Sequence, residues 1–193
     1  MSGKTNLYKT GLACMRLQPL HIGHKRLIDK MLVECERVYI AIGSAQEEGT
    51  DRNPISYLNR RRSIESLYVE EWLSDKIRVV PAKDINDFPN WSTFVVNLIP
   101  DIIDKYYAGT EGDASAFKLY PPKNYPNIEI EILDREDFPV TATEIRKLFK
   151  QNNPAWKLHI PKGNIEITER ILSGKHPFPE LEKLEKEMGG EIL

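Results

Sequence analysis

The chain is poor in cysteine, has no long apolar run, and carries no excess of either charge. Only two cysteines occur in 193 residues, Cys14 and Cys35, both inside apolar stretches. Two thiols so placed exclude a disulfide framework or a cysteine-rich zinc site and fit small buried side chains in a reducing compartment. No apolar run approaches the roughly 20 residues that span a bilayer, and the first ten residues lack an apolar core of signal-peptide type. These absences argue against membrane insertion and make the cytoplasm the expected location. Lys and Arg number 27 against 29 Asp and Glu, a formal net charge of −2. There is thus no overall basic field to hold a nucleic-acid polymer, and an anionic ligand must be met by local clusters of Lys and Arg.

What is present is globular: 40% of residues are hydrophobic and 29% charged, enough for one core of domain size with a small appendage. Runs of β-branched residues alternate with segments of helical period. Strands are expected at residues 7–15, 37–43, 77–80, 105–108 and 128–133. The first helix places Ile28, Met31, Leu32 and Cys35 on one face. A second helix, capped by Ser56, turns Leu58, Ile64, Leu67 and Trp72 inward. Helices are also expected at about 90–99 and at 143–150, with one or two more beyond. Five strands joined in parallel by helices give an α/β fold: a doubly wound, Rossmann-like sheet with a helical C-terminal extension. The expected division is residues 1–150 for the α/β unit and 151–193 for the extension. In such a sheet the ligand lies beyond the carboxyl ends of the strands, near the topological switch point.

The loops after the strands hold the chemistry. After the first comes Met15-Arg16-Leu17-Gln18-Pro19-Leu20-His21-Ile22-Gly23-His24. Two histidines three apart at a helix start share one side of its first turn, where free N–H groups already favour an anion. They read either as a helix cap with a packed ring or as phosphate ligands, and Arg16 and Lys25 beside them favour phosphate. Gly23 leaves room at the backbone. After the second strand, Gly43-Ser44-Ala45-Gln46 is a small-residue turn, followed by Arg52-Asn53-Pro54 and by Arg60-Arg61-Arg62. After the third, Asp84-Ile85-Asn86-Asp87 precedes Trp91, an indole that either closes the core or stacks on a planar ring. Gly109 ends the fourth strand, and Thr141-Ala142-Thr143-Glu144-Ile145-Arg146 precedes the last helix of the α/β unit, with Thr143 as its expected cap.

The run from Arg16 to His24 resembles the His-x-Gly-His element of the nucleotidyltransferase superfamily, and Thr141 to Arg146 its Ser/Thr-x-Thr-x-Ile-Arg element. The Gly43 to Gln46 turn, the Arg52 to Arg60 spacing and the Asp84 to Trp91 segment are similar to those of archaeal-type nicotinamide mononucleotide adenylyltransferases. The likeness runs from about Gly11 to about Leu172, with Asp134-Arg135, Trp156 and Leu158 at comparable places. The chain departs at Met15 and Leu17, where Gly and Phe are usual, at Thr141-Ala142 for Ser-Gly, and at Gly109-Thr110-Glu111 for Gly-Asn-Pro.

The resemblance implies transfer of AMP from ATP to nicotinamide mononucleotide, with Mg²⁺ accompanying the ATP and no metal ligands on the protein. It implies catalytic roles for His21, His24, Arg16 and Arg146. ATP and phosphate contacts fall to Gln18, Gly23, Arg52, Arg60, Gly109, Thr141 and Thr143. The nicotinamide half falls to Gly43, Ser44, Asp84, Ile85, Asn86 and Trp91. A homo-oligomer is implied as well. Two other readings stay open at this point: a transferase acting on nicotinic acid mononucleotide, pantetheine phosphate or a polyol phosphate, and a non-catalytic NAD or ATP sensor.

Overall fold

A computed structural model describes residues 8–133 and 140–187 of the chain. Leu7, Asp134, Arg135, Phe138 and Pro139 lie outside the described residues. Five strands form one sheet: β1 (Tyr8–Met15), β2 (Cys35–Ile42), β3 (Ile77–Pro81), β4 (Lys105–Ala108) and β5 (Glu129–Ile132). Every pairing is parallel, in the order β3-β2-β1-β4-β5. The chain moves outward from β1 through β2 to β3, then crosses back to place β4 on the other side of β1. The switch point therefore lies between β1 and β4, and the loops after those strands part there to leave a crevice.

Side-chain alternation along each strand separates two cores. On one face Ala13, Ile40 and Tyr107 join Ile28 and Met31 of α1 (Ile22–Glu34) and Ile64 of α2 (Tyr57–Leu67). On the other, Leu12, Tyr39 and Tyr106 join Val95 of α4 (Phe88–Val96) and Phe117 of α5 (Glu111–Leu119). Leu12 and Ala13, like Tyr106 and Tyr107, are neighbours pointing to opposite faces, as the period of two requires. Both faces are covered, so β1, β2 and β4 carry continuous apolar runs, whereas the edge strand β5 alternates Glu and Ile. Each fully buried Ile or Met here contributes about 1.5–3 kcal/mol of hydrophobic stabilisation. Tyr106 also stacks on Phe117 with centroids 3.7 Å apart.

Four local details depart from the sequence expectation. The helix ending at Trp72 divides into α2 and α3 (Val69–Leu73), because Tyr68 leaves helical geometry with φ −127° and ψ 50°. The Tyr68 hydroxyl lies 2.9 Å from an Asp29 carboxylate oxygen and 3.2 Å from the Lys25 carbonyl, bridging to α1. Within α2 the buried side chains are Arg60, Arg62, Ser63 and Ile64, whereas Leu58 belongs to neither large core. A helix that sequence periodicity did not delimit, α5, starts at Thr110, whose hydroxyl oxygen accepts the Asp113 N–H at 3.1 Å. Finally, α6 (Ala142–Lys150) is capped by Thr141, not Thr143: Thr141 Oγ1 accepts the Glu144 N–H at 3.2 Å while the Glu144 carboxylate accepts the Thr141 N–H at 2.8 Å. That reciprocal pair is a capping box, and the expectation had put it two residues too late.

Beyond α6 come two 3-10 turns, Pro154–His159 and Lys162–Asn164, then α7 (Ile165–Leu172) and α8 (Pro179–Glu187). Ile145, Trp156 and Ile160 form a small core of their own. Asn164, fully buried, ties this segment to α2 by donating to the Ser63 carbonyl at 2.7 Å and accepting from the Ser66 hydroxyl at 3.3 Å. Among the described residues no helix is long and apolar enough to cross a membrane.

Candidate active site

A cleft of about 810 Å³ opens over the carboxyl ends of the strands. That is the size of pocket that encloses a sizeable organic ligand. Arg16, His21, Gly23 and His24 line it from the β1 loop, Gly43, Gln46, Glu47 and Arg52 from the β2 loop. Asp84 to Phe88 and Trp91 line it from the β3 loop and α4, and Gly109, Gly112, Asp113 and Ser115 from the β4 loop and α5. A hollow of about 240 Å³ adjoins it, sharing Arg16, His21, His24 and Arg52 and reaching Thr141, Thr143 and Arg146. The shared residues mark the junction of the cleft with the hollow.

His21 and His24 begin α1 as a capping box built from two imidazoles. The Gly23 N–H donates to His21 Nδ1 at 3.1 Å, and the His21 N–H donates to His24 Nδ1 at 3.3 Å. A ring nitrogen that accepts a hydrogen bond carries no proton, so each neutral ring holds its hydrogen on Nε2. The cap thereby assigns both histidines the tautomer that presents an Nε2–H donor. Their centroids are 3.8 Å apart. A Cβ at Gly23 would come within 3.1 Å of His21 Cε1, so the room left by this glycine is taken by the His21 ring.

Arg146 reaches back from α6. Its Nη1 donates to the Gln18 carbonyl at 2.6 Å, and its Nη2 to the Asp51 carbonyl at 3.3 Å and Thr143 Oγ1 at 3.4 Å. Burial lowers its pKa below the usual arginine value, partly opposed by Asp51. It remains a cation poised over the hollow. The β3 loop is held by Gln46, whose Oε1 accepts the Asp84 N–H at 3.1 Å. Asp87 caps α4 by accepting the Asn90 N–H at 3.4 Å, and Pro89 sits in the first turn, which sets Trp91 on the cleft wall, half-buried.

Four residues expected at the ligand are placed elsewhere or used otherwise. Arg60 lines neither space: it is 1% exposed and donates to main-chain carbonyls beneath the cleft. Ser44 is buried under its own turn at φ 49°, and its carbonyl is one of those acceptors. Gln18 borders the hollow, but its amide is spent on Ile55, donating to the carbonyl at 3.0 Å and accepting the N–H at 2.9 Å. It staples two loops together. Lys25 turns away to Asp29 at 2.5 Å, and Arg26 lines the cleft instead.

Gln46, Glu47, Asp87, Phe88, Asp113 and Ser115 line the cleft without having been singled out as ligand contacts. Gln46 and Asp87 stand inside the quoted loop motifs and Glu47 and Phe88 directly after them, which was the available signal. For Asp113 and Ser115 it was the Thr-x-x-Asp cap opening a helix after a strand. Cys14 also borders the cleft, and burial pushes its thiol up to about 12, so it offers no thiolate nucleophile at neutral pH. Among the described residues no three His, Cys, Asp or Glu side chains gather as a metal site.

Residues 13–109 match the family described as cytidylyltransferase-like. The chain is 30% identical to the nicotinamide-nucleotide adenylyltransferase of Thermococcus onnurineus, over 95% of this chain and 96% of that protein. It is also 30% identical to the enzyme of the same name from Thermococcus kodakarensis, over 96% of this chain and 97% of that one. Among solved structures it is similar to a bifunctional NMN adenylyltransferase/ADP ribose pyrophosphatase from Francisella tularensis complexed with AMP and a Mn ion, with a TM-score of 0.63 and 22% identity. That match covers 94% of this chain and 53% of the longer protein, and at this identity the likeness is one of fold.

Proposed function

Because this chain belongs to the cytidylyltransferase-like family and, within it, to the nicotinamide-nucleotide adenylyltransferases, we propose that its cleft joins ATP to nicotinamide mononucleotide, forming NAD and releasing pyrophosphate. The observation that carries the reading is the imidazole capping box beside Arg16 and Arg52, at the junction of the cleft with the hollow.

The acceptor phosphate is an anion and already a competent nucleophile. One of its oxygens forms a bond to the α-phosphorus of ATP while the bond from that phosphorus to the β-bridging oxygen breaks, and the electron pair leaves with pyrophosphate. No covalent enzyme intermediate is needed. The protein must align two polyanions and stabilise charge on the five-coordinate α-phosphate. His21 and His24 supply Nε2–H donors in a fixed tautomer, His24 chiefly to the α-phosphate. Arg16 stands where the acceptor and α-phosphates meet. Thr143, Arg146 and Arg52 hold the β- and γ-groups in the hollow, with the first-turn N–H groups of α6. Mg²⁺ arrives on the triphosphate as part of the substrate and keeps most of its waters.

Trp91 stacks on the pyridine ring, and the Gln46-held Asp84 to Asn86 loop meets its carboxamide. Gly109 and the first turn of α5 border the remaining end of the cleft, the place for adenosine. We read residues 1–150 as the nucleotidyltransferase unit and 151–193 as a helical extension packed on it, a reading supported by the buried bond from Asn164 to Ser63. The assembly is read as a cytoplasmic homo-oligomer.

The test is pyrophosphate release from ATP and Mg²⁺ with a panel of acceptors: nicotinamide mononucleotide, nicotinic acid mononucleotide and pantetheine phosphate. Turnover with the first at least about tenfold above pantetheine phosphate is expected, and the ratio of the first two acceptors measures the choice between amide and acid. Tight NAD binding with no turnover on any acceptor would replace the enzyme by a sensor.

A further inference from the structure

Arg60 is a buried cation with no carboxylate partner among the described residues. Its Nη1 donates to the carbonyls of Arg16 at 3.0 Å and Gly43 at 2.7 Å, its Nη2 to that of Ser44 at 3.1 Å and its Nε to that of Ser56 at 3.3 Å. Its neighbour Arg61 instead pairs with Glu65 at 2.6 Å, as Arg37 does with Asp101 at 2.6 Å. Carbonyl oxygens satisfy N–H groups but leave the net charge in place. Burial lowers the guanidinium to about 10, opposed at a distance by Tyr57, Asp84, Glu48 and Glu47, so it stays protonated at neutral pH. A charge in this setting acts over a longer range than one screened at the surface.

Its position gives the charge a use. Arg16 and Gly43, whose carbonyls it binds, directly follow β1 and β2 and line the cleft, so the guanidinium lies just beneath the cleft floor. We infer that Arg60 is a positioning residue with an electrostatic role: it clamps the main chain at the ends of β1 and β2, and its charge, in contact with no carboxylate among the described residues, attracts the polyphosphate above without touching it. The inference rests on the reading of the cleft as an ATP site. Burying the cation is costly in the empty protein, and a bound polyanion offsets that cost. The contribution of Arg60 to binding therefore grows with the negative charge of the ligand, which a residue that only packs would not do.

Calorimetric titration of ATP, ADP, AMP and adenosine into wild type, Arg60→Lys and Arg60→Gln, at one Mg²⁺ concentration, tests this. Arg60→Gln removes the charge: ATP binding is expected to weaken about tenfold or more and adenosine binding less than about threefold, with ADP and AMP between. Arg60→Lys keeps the charge and loses the planar fork. Its ATP-to-adenosine affinity ratio stays within about twofold of wild type, while kcat falls about tenfold as the Arg16 and Gly43 carbonyls lose their clamp. An equal loss for all four ligands in Arg60→Gln overturns the inference. Should that variant not fold, a ratio in Arg60→Lys that drops more than about fivefold, although the charge is kept, overturns it too. Wild-type protein that binds neither ATP nor adenosine overturns the site reading itself, and is a separate outcome.

Discussion

His21 and His24 cap the same helical turn for one another: the His21 main-chain N–H donates to His24 Nδ1 at 3.3 Å, and His21 Nδ1 accepts from Gly23 N–H at 3.1 Å. Nδ1 of each ring is thus spent on the start of the helix, and the proposed function gives Nε2 to the ligand. Substitutions can separate them. His24→Asn keeps an oxygen near the Nδ1 position and is expected to retain the cap, while His24→Gln keeps an N–H near the Nε2 position. His24→Ala loses both, with turnover down about 100- to 1000-fold for the missing donor and stability down by up to about 1 kcal/mol for the missing N3 half of the capping box. His24→Gln should recover turnover more than His24→Asn, and His24→Asn should recover unfolding temperature more. A fall in turnover under about fivefold for His24→Ala would remove the residue from the mechanism.

Trp91 is assigned to the pyridine ring. Trp91→Ala should raise KM for the mononucleotide about tenfold, the equivalent of roughly 1.4 kcal/mol of stacking and burial, and leave KM for ATP within about twofold. Initial-rate measurements with each substrate varied in turn check this. An effect confined to ATP would move the nicotinamide pocket elsewhere.

At the opposite end of the sheet Lys105, nearly buried, meets Glu129 at 2.9 Å, Glu131 at 2.7 Å and Glu34 at 3.6 Å. Burial lowers its pKa, but hydrogen bonds to Glu131, Glu129 and Tyr8 outweigh this and hold it above the usual lysine range. The bond from Lys105 holds Glu129 below the ordinary carboxyl value of 4.5. A depressed carboxylate stabilises the fold above its unfolded pKa, and the gain is lost as pH falls through the folded value. A raised lysine stabilises below 10.5, and its gain is lost as pH rises through the folded value. The network therefore works across neutral pH. Lys105→Met should cost about 2–3 kcal/mol at pH 7, less than for a fully buried pair because the carboxylates are partly solvated. Urea unfolding should show the gap to wild type narrowing below about pH 4.5 as the carboxylates protonate. A gap that widens there would reverse the assignment.

Asn164 anchors the C-terminal segment to α2 through Ser63 and Ser66. Asn164→Ala removes the shorter of two side-chain donors to the Ser63 carbonyl, which keeps the Ser66 hydroxyl at 3.3 Å, and removes an acceptor of that hydroxyl; a loss of about 1–3 kcal/mol in unfolding free energy is expected, with kcat/KM within about twofold of wild type. Loss of turnover at unchanged stability would instead give the segment a direct part in the site.

The alternation of strands and helices was legible because both faces of a parallel sheet are buried, which writes continuous apolar runs into β1, β2 and β4. The break at Tyr68 was not, since it depends on Asp29 and the Lys25 carbonyl on another helix. The cap of α6 was missed by two residues because Thr141 and Thr143 are equally good caps in isolation. The Glu144 carboxylate, three residues after Thr141, selects between them.

The amino-acid sequence by itself determined which loops gather around the cleft and the hollow: His21 and His24 after β1, Asp84 to Trp91 after β3, and Thr143 with Arg146 at α6. These are local matters, in which residue spacing places side chains on one turn or in one loop. Only the tertiary structure decided which cations line those two spaces. Arg16 and Arg52 face the cleft and Arg146 the hollow, while Lys25 turns to Asp29 and Arg60 goes beneath the floor. The physical reason is that an arginine points where its hydrogen-bond acceptors lie. The acceptors of Arg60 are the carbonyls of Arg16, Gly43 and Ser44, which become neighbours only when β1 and β2 pair and α2 packs across their ends.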